Sequence, residues 1–343
     1  MDKKNFLKFY FLICMFRKVG IKVEEQHFFK LNNGVLIPAV GFGTGIVKGL
    51  LKHPKSTTKR FLKESIKNIV VPGFKENNVY PIQKDLKKEI SLKKISKKAY
   101  SEGCRLFDTA RAYQYSEQYL GDALFRGANR ILRQDCFIIS KVTNTAQRNH
   151  TVWDDLEQSL NALGTEYIDL YLMHWPQPGA YLDTWKVMEE MYASGKVRAI
   201  GVSNCHVHHL DEIMNIATVM PMADELECHP LLQQKEVRTF CKGNGIQLIA
   251  YAPIGKMNAE VRNNQYIKAM CNKYHVEPAQ VILRWHYQKG DVSIPNTTNS
   301  KHVGSNYKIW NFSLNEEEMS LVESLDCGYR IWPDPDNCNF NNL

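Results

Sequence analysis

Eight short apolar runs, separated by stretches with helical periodicity, constrain this chain more than any other feature. After about residue 99 come CRLFD, CFIISK, IDLYLMH, VRAIGV, MADELE, IQLIAY and DVSIP, and IPAVGFG precedes them at residues 37–43. Each run has the length and continuous hydrophobicity of a strand buried on both faces. Between them lie amphipathic patterns. In TVWDDLEQSLNALG, residues Val152, Leu156, Leu160 and Leu163 recur on one helical face; Thr151 is placed to cap the start and Gly164 to terminate the helix. Strand–helix alternation implies a parallel sheet. Eight such units favour a closed (β/α)8 TIM barrel over an open doubly wound sheet. A dinucleotide-binding Rossmann fold is disfavoured, because GFGTG lacks the full GxGxxG spacing and no helical pattern follows it closely. The preceding stretch, FFKLNNGVLIP, predicts a β-hairpin with a type I′ turn at Asn33-Gly34. That hairpin would cover the N-terminal mouth of the barrel.

Composition narrows the function classes. Of 343 residues, 44% are hydrophobic, enough for a large core. The nine cysteines are scattered, odd in number and free of any CxxC pair, so they read as reduced thiols in a cytoplasmic protein and not as a zinc site. No metal is expected. The net charge of +8 is uneven. Residues 48–98 carry fifteen Lys or Arg against four acids, residues 1–47 carry seven against three, and the rest of the chain sums to −7. A basic character confined to one segment argues against a protein built for nucleic acid. The apolar run Phe9–Phe16 is too short to span a membrane and is followed by Arg17 and Lys18, not by a small-residue cleavage site. Residues 1–26 are read as a leader or extension, 27–330 as one barrel with an insertion at about 46–90, and 331–343 as a C-terminal tail.

In such a barrel the chemistry sits where strands end and loops begin. The ends of the apolar runs are Asp108, Lys141, His174, Ser203-Asn204, Glu225, Tyr251 and Pro295-Asn296. Singly, each could be a capping acid, a solvated lysine or a satisfied histidine. Three consecutive strands ending in Asp, Lys and His, with Tyr113 on the loop after the first, suggest a site. A phenol ionises near ~10 in water, and a neighbouring ammonium stabilises its phenolate. Lys141 would supply that charge, Asp108 would hold Lys141, and Tyr113 would pass a proton to a developing alkoxide. His174 would orient a carbonyl oxygen. No side chain donates hydride, so a nicotinamide cofactor is implied.

At this point the chain resembles the aldo-keto reductases. The stretches LNNGVLIPAVGFGTG, FDTARAY, IISK, YIDLYLMHWP, GKVRAIGVSN, ILRWHYQKG and the IP of VSIPNTT carry the resemblance over residues 27–330. It implies NAD(P)H-dependent reduction of an aldehyde or ketone, with Asp108, Tyr113, Lys141 and His174 as the catalytic four. It implies Ser203 and Asn204 as binders of the nicotinamide carboxamide, Tyr251 as the ring that stacks on the nicotinamide, and Gly43 and Thr44 as a cofactor-lining turn. Two departures bear on the cofactor. Glu225 replaces the family's usual Gln, after Asp224 in place of Asn. Asn296 and His302 replace the Lys and Arg that grip the 2′-phosphate of NADPH, while Thr297 fills the usual Ser position and Asn306 is kept. Losing both cations weakens phosphate binding, so NADH becomes a plausible cofactor beside NADPH.

Substrate contacts are expected from Trp175, directly after His174, from Tyr115, brought near by an extra residue after Tyr113, and from Trp332 in the tail. The loop after YAPIG is short, and the insertion after the first strand should emerge at the catalytic mouth. Its lysines would suit an anionic or sugar-linked carbonyl substrate. HVHH at 206–209 opens a helix and lacks a partner acid at fixed spacing, so it is read as a helix start and not as a metal site. The alternative function is a slow or inactive homologue that holds a nucleotide for a regulatory purpose. Nothing in the sequence fixes the oligomeric state.

Overall fold

The computed structural model describes residues 27–45, 86–338 and 340; the leader and most of the basic insertion lie outside these. The hairpin comes first: β1 (Phe28–Lys30) pairs antiparallel with β2 (Leu36–Pro38). The turn is not type I′. That type needs positive φ at both central residues, and here only Gly34 has it, at 90°. The loop holds three residues instead, closed by Leu31 N–H to the Val35 carbonyl at 2.9 Å. Asn33 keeps an ordinary backbone because its side chain is otherwise engaged: it donates to the Arg198 carbonyl at 3.0 Å and accepts from Val35 N–H at 3.1 Å. Asn32 donates to the Pro221 carbonyl at 2.9 Å. Arg198 and Pro221 lie just before two barrel strands, so the hairpin caps the N-terminal end as expected.

Eight parallel strands follow. They are β3 (Phe42–Gly43), β4 (Leu106–Asp108), β5 (Phe137–Val142), β6 (Leu170–Met173), β7 (Ile200–Ser203), β8 (Ala223–Glu227), β9 (Gln247–Tyr251) and β10 (Val292–Ile294). They hydrogen-bond in sequence order. The first and last meet at a parallel bridge between Val40 and Ser293, with Gly41 N–H donating to the Ser293 carbonyl at 2.8 Å. The sheet therefore closes into a barrel, and none of its central strands presents an unpaired edge.

The helices form where the periodicity places them. Val152–Leu163 buries Val152, Leu156, Leu160 and Leu163 on one face, each such side chain contributing roughly 1.5–3 kcal/mol of apolar transfer. It ends on Gly164 in the left-handed region, but Thr151 makes no side-chain cap; Asp154 and Asp155 supply negative charge to the first turn instead. Asp155 also accepts from Thr143 N–H at 2.9 Å, and this fixes the helix to the end of β5. Tyr181–Ala193, Val207–Ile216, Lys235–Gly243 and Pro278–Lys289 also match their patterns. The short loop after Pro253 is present: a new helix starts at Ala259, capped by Asn258. A second apolar cluster, with Trp285, Ile267 and Val322 at its centre, packs the last helices together outside the barrel. Among the described residues no helix is long and apolar enough to cross a membrane.

Candidate active site

Strand register assembles the site. In parallel pairs, residues in register point to the same face, as do residues two apart along a strand. Gly43 pairs with Asp108, and Asp108 with Ile139; two residues on is Lys141, which pairs with Leu172. Leu172 pairs with Gly201; two on is Ser203, which pairs with Glu225. Glu225 pairs with Ile249, and two on is Tyr251, in register with Ile294. The stagger of the barrel thus places Gly43, Asp108, Lys141, Ser203, Glu225 and Tyr251 on one face at the C-terminal end. Because the barrel is closed, β8 lies opposite β4, and Glu225 faces Asp108 across the interior.

Lys141 lies between them. It is fully buried, as are Asp108 and Glu225 apart from a few per cent. Its ammonium pairs with Asp108 Oδ1, approaches Glu225 Oε1 at 3.2 Å and donates to the Thr109 carbonyl at 3.2 Å. Tyr113 stands above, with its ring centroid 5.4 Å from the ammonium. His174 meets the Tyr113 ring edge-on at 5.5 Å. Gly45 lies against the phenol; a Cβ there would sit 3.4 Å from the ring.

The electrostatics follow from burial set against the one ammonium. Burial pulls the Lys141 ammonium down, but the Asp108 and Glu225 charges outweigh it and hold it above the usual lysine range. Burial raises both carboxyls; Glu225 is also pushed by Asp108 and, despite Lys141, reaches about 8. His174 falls to about 3 through burial and the Lys141 charge, so it is a neutral imidazole at physiological pH. For Tyr113 the expected sign is corrected. Lys141 does pull the phenol down, but burial is the larger effect, Asp108 and Glu225 add to it, and the net shift is upward. In this state Tyr113 is a protonated acid.

Ser203 and Asn204 are already woven into the rim. Ser203 Oγ donates to the Glu225 carbonyl at 2.8 Å, and Asn204 Nδ2 donates to the His174 carbonyl at 2.9 Å. Tyr251 Oη donates to Asn204 Oδ1 at 2.8 Å, and Asn204 adopts a left-handed backbone to reach it. Thr44 is buried and ties the first turn to β4 through Asp108 carbonyl at 2.8 Å and Ser116 Oγ at 2.6 Å. Asn296 donates to the Gly45 carbonyl. Beyond it Thr297 is half-buried, His302 is exposed and Asn306 is buried. Lys301, exposed beside His302 in the first turn of the helix Ser300–Asn306, is a cation that motif matching overlooks.

The expected substrate contacts divide. Trp175 is buried next to His174, and its carbonyl accepts from Gln147 at 3.0 Å. Tyr115 turns elsewhere. The extra residue is absorbed at Gln114, with φ 58° and ψ −117°, and this reversal sends Tyr115 to the ring of Tyr119. Trp332 is half-exposed with the Lys256 ammonium 4.4 Å above its ring, and its backbone N–H donates to Glu227 Oε2 at 2.9 Å. Glu227 also accepts from Ile331 N–H at 2.7 Å and faces His229 at 3.0 Å. This buried acid at the end of β8 anchors the tail, and no local signal joins it to a partner 104 residues away.

HVHH does start a helix, but it has an acid partner from the tail. Asp336 meets His206 Nδ1 at 2.7 Å and His208 Nε2 at 3.4 Å. Arg330 donates to His206 Nε2 at 3.1 Å, so His206 offers a proton, not a lone pair, to Asp336. His209 Nδ1 accepts from His206 N–H at 3.2 Å, which leaves its proton on Nε2, facing the same carboxylate. These tautomers suit a carboxylate latch.

The chain matches the model of the Aldo/keto reductase family over residues 82–326. It is 40% identical over 244 residues to a glyoxal reductase of Bacillus subtilis (strain 168), covering 71% of this chain and 87% of the relative. A methylglyoxal reductase, DkgA, of Salmonella typhimurium (strain LT2) is 36% identical, covering 70% of this chain and 86% of the relative. Among solved structures, a Gox0644 variant in complex with NADPH superposes with a TM-score of 0.75 at 28% identity, covering 92% of this chain and all of that one.

Proposed function

This chain belongs to the aldo/keto reductase family of NAD(P)H-dependent carbonyl reductases, and we propose that Tyr113 is its proton donor, with Lys141, Asp108 and His174 arranged around it. One observation carries this reading: a fully buried ammonium, charge-paired on one side, lies 5.4 Å from the centre of a protonated phenol whose edge is met by a neutral imidazole. Tyr113 would donate to the oxygen of a carbonyl while neutral His174 hydrogen-bonds that oxygen and fixes its approach. Lys141 offsets the charge that develops on the phenolate, and Asp108 keeps Lys141 in place.

The site fits a nicotinamide cofactor. Glu225 Oε2 is buried with no hydrogen-bond partner among the described residues, so it can hydrogen-bond a carboxamide. Gly45, in contact with Tyr113, adds no side chain there. Ser203, Asn204 and Tyr251 form a polar rim around it, with Gly43, Thr44 and Asn296 on the opposite side. When bound, the nicotinamide supplies the hydride. NADH is proposed to serve alongside NADPH, because Asn296 and His302 offer a 2′-phosphate no permanent charge.

The relatives' names make small α-oxoaldehydes, glyoxal and methylglyoxal, the first substrates to test. An anionic or sugar-linked carbonyl is the second class, on the basis of the lysines in residues 48–98. The reduced cysteines fit a cytoplasmic location. The test has two steps. Protein fluorescence is followed during titration with NADPH and NADH, and methylglyoxal reduction is then compared between wild type and Tyr113→Phe. Binding of a cofactor with a loss of about 10²–10⁴-fold in turnover is expected. Binding of neither cofactor refutes the reading, and full turnover by the Phe variant refutes the role of Tyr113. Cofactor binding without turnover in wild type would favour the regulatory alternative.

A further inference from the structure

We propose that Glu225 is a positioning residue that competes with Tyr113 for the Lys141 ammonium, so that the proton on Glu225 governs how far Lys141 supports proton donation by Tyr113. The inference rests on the reading of Tyr113 as the donor. Its basis is a count of donors and acceptors. An ammonium has three N–H groups. Around Lys141 stand Asp108 Oδ1, the Thr109 carbonyl at 3.2 Å and Glu225 Oε1 at 3.2 Å, with Tyr113 as a fourth neighbour. The first two are fixed, one by an ion pair and one by backbone. The third N–H is contested between Glu225 and the phenol.

Charge makes the contest depend on protonation. With both carboxyls ionised, two buried negative charges share one positive charge, an arrangement disfavoured in a low-dielectric interior. The Asp108 and Glu225 carboxyls also meet each other, so one proton between them relieves the imbalance. The other groups facing Glu225 do not supply a counter-charge. Asp224, on the same strand, is pushed well above the carboxylate range by burial. His174 beyond β6 is neutral, and the Tyr251 phenol from β9 is raised by burial. From β7 itself comes the uncharged Ser203 hydroxyl. Lys141 is therefore the cation that Glu225 and Tyr113 must share.

The consequences have a definite sign. Below about 8 Glu225 keeps its proton, the Asp108–Lys141 pair is balanced, and the ammonium is available to the phenol. Above it, the Glu225 carboxylate draws Lys141 away and raises Tyr113 further, so carbonyl reduction falls. Stability moves in the same direction. A carboxyl whose folded value is raised from 4.5 to about 8 contributes stability that is fully present below the unfolded value and is lost as pH rises through the folded one.

The test compares wild type with Glu225→Gln, which keeps shape and removes the ionisation. Two quantities are followed from about pH 5 to about pH 9: kcat/KM for methylglyoxal with whichever of NADPH or NADH binds, and the melting temperature without cofactor. Wild type should lose activity through the alkaline range. The Gln variant should lack that limb and exceed wild type about tenfold one pH unit above the ionisation, where only about a tenth of Glu225 keeps its proton. Its melting temperature should gain on wild type as pH rises. Glu225→Ala should also abolish the limb, which guards against a fault particular to Gln. Parallel pH dependence of wild type and both variants, in activity and in melting, overturns the proposal. A wild type with no reductase activity would count against the reductase reading, while the melting comparison would still decide whether Glu225 holds the proton.

Discussion

The interior end of the barrel and the rim after its last strand solve opposite problems. Asp108, Lys141 and Glu225 are sealed from solvent, and each charge is placed against another. Asn296 and Thr297 are half-buried and His302 is exposed, and apart from the Asn296 contact to Gly45 and the local Thr297 contact to Asn299 they carry little of the fold. A buried charge must be answered by the structure or neutralised. A rim residue is answered by solvent. The proposed chemistry is therefore tied to folding, whereas the proposed recognition of the distal end of the cofactor can change residue by residue at little cost to stability.

Lys141→Met breaks that comparison most severely. It leaves Asp108 and Glu225 as buried acids without their cation. A loss of about 3–5 kcal/mol is expected from denaturant titration near neutral pH, together with the loss of methylglyoxal reduction. The stability deficit should shrink in acid, where Asp108 takes up a proton as Glu225 already has. A deficit that stays constant across pH would mean that packing around the lysine stem, not charge, holds this end together.

The same contrast explains what was legible in the sequence. The strand-end residues could be read because each closes an apolar run, and an acid, lysine or histidine in that place is conspicuous. That they face one another depends on register, which advances by two residues at about every second strand and has no local signature. The shift of Tyr113 could not be signed from Lys141 alone, because burial outweighs the ammonium. The course of the chain after Tyr113 could not be read either, because it turns on a reversal of the Gln114 backbone, after which the Tyr115 ring packs on Tyr119. Glu227 and Asp336 were missed for a topological reason: their partners lie in a tail and a helix start more than 100 residues apart in sequence. The hairpin was right in kind and wrong in turn type because the Asn33 side chain is used to tie the hairpin to Arg198.

Asn296→Lys tests the rim half of the comparison at intermediate scale. It restores a permanent cation where the 2′-phosphate of NADPH is proposed to lie. One new charge-assisted hydrogen bond should tighten NADPH binding about tenfold or more and leave NADH binding unchanged. Melting temperature should hardly move, since the Asn296 side chain is only partly buried and gives up one contact, to the Gly45 carbonyl. Equal tightening of both cofactors would mean that position 296 does not distinguish them.

The tail provides the smallest effect and a case between the two regions. Glu227 grips it from inside, through the Ile331 and Trp332 N–H groups, while Asp336 holds it from the surface against His206, His208 and His209. Burial would raise the Asp336 carboxyl, but the His206 hydrogen bond and the electrostatic attraction of His206, His208 and His209 hold it below the usual aspartate value. Its contribution is thus present above the unfolded aspartate value and is lost as pH falls through the lower folded one. The carboxylate is well exposed, and solvent screening limits what it can supply. Asp336→Asn should cost well under about 1 kcal/mol and leave cofactor titration unaltered. What it should change is local: limited proteolysis within residues 329–338 should quicken, while the barrel stays intact. If the cleavage rate is unchanged, Glu227 alone secures the tail and the histidine cluster is a solvated helix start after all. If cleavage quickens and KM for methylglyoxal rises with it, Trp332 is a wall of the substrate pocket held in place from both sides.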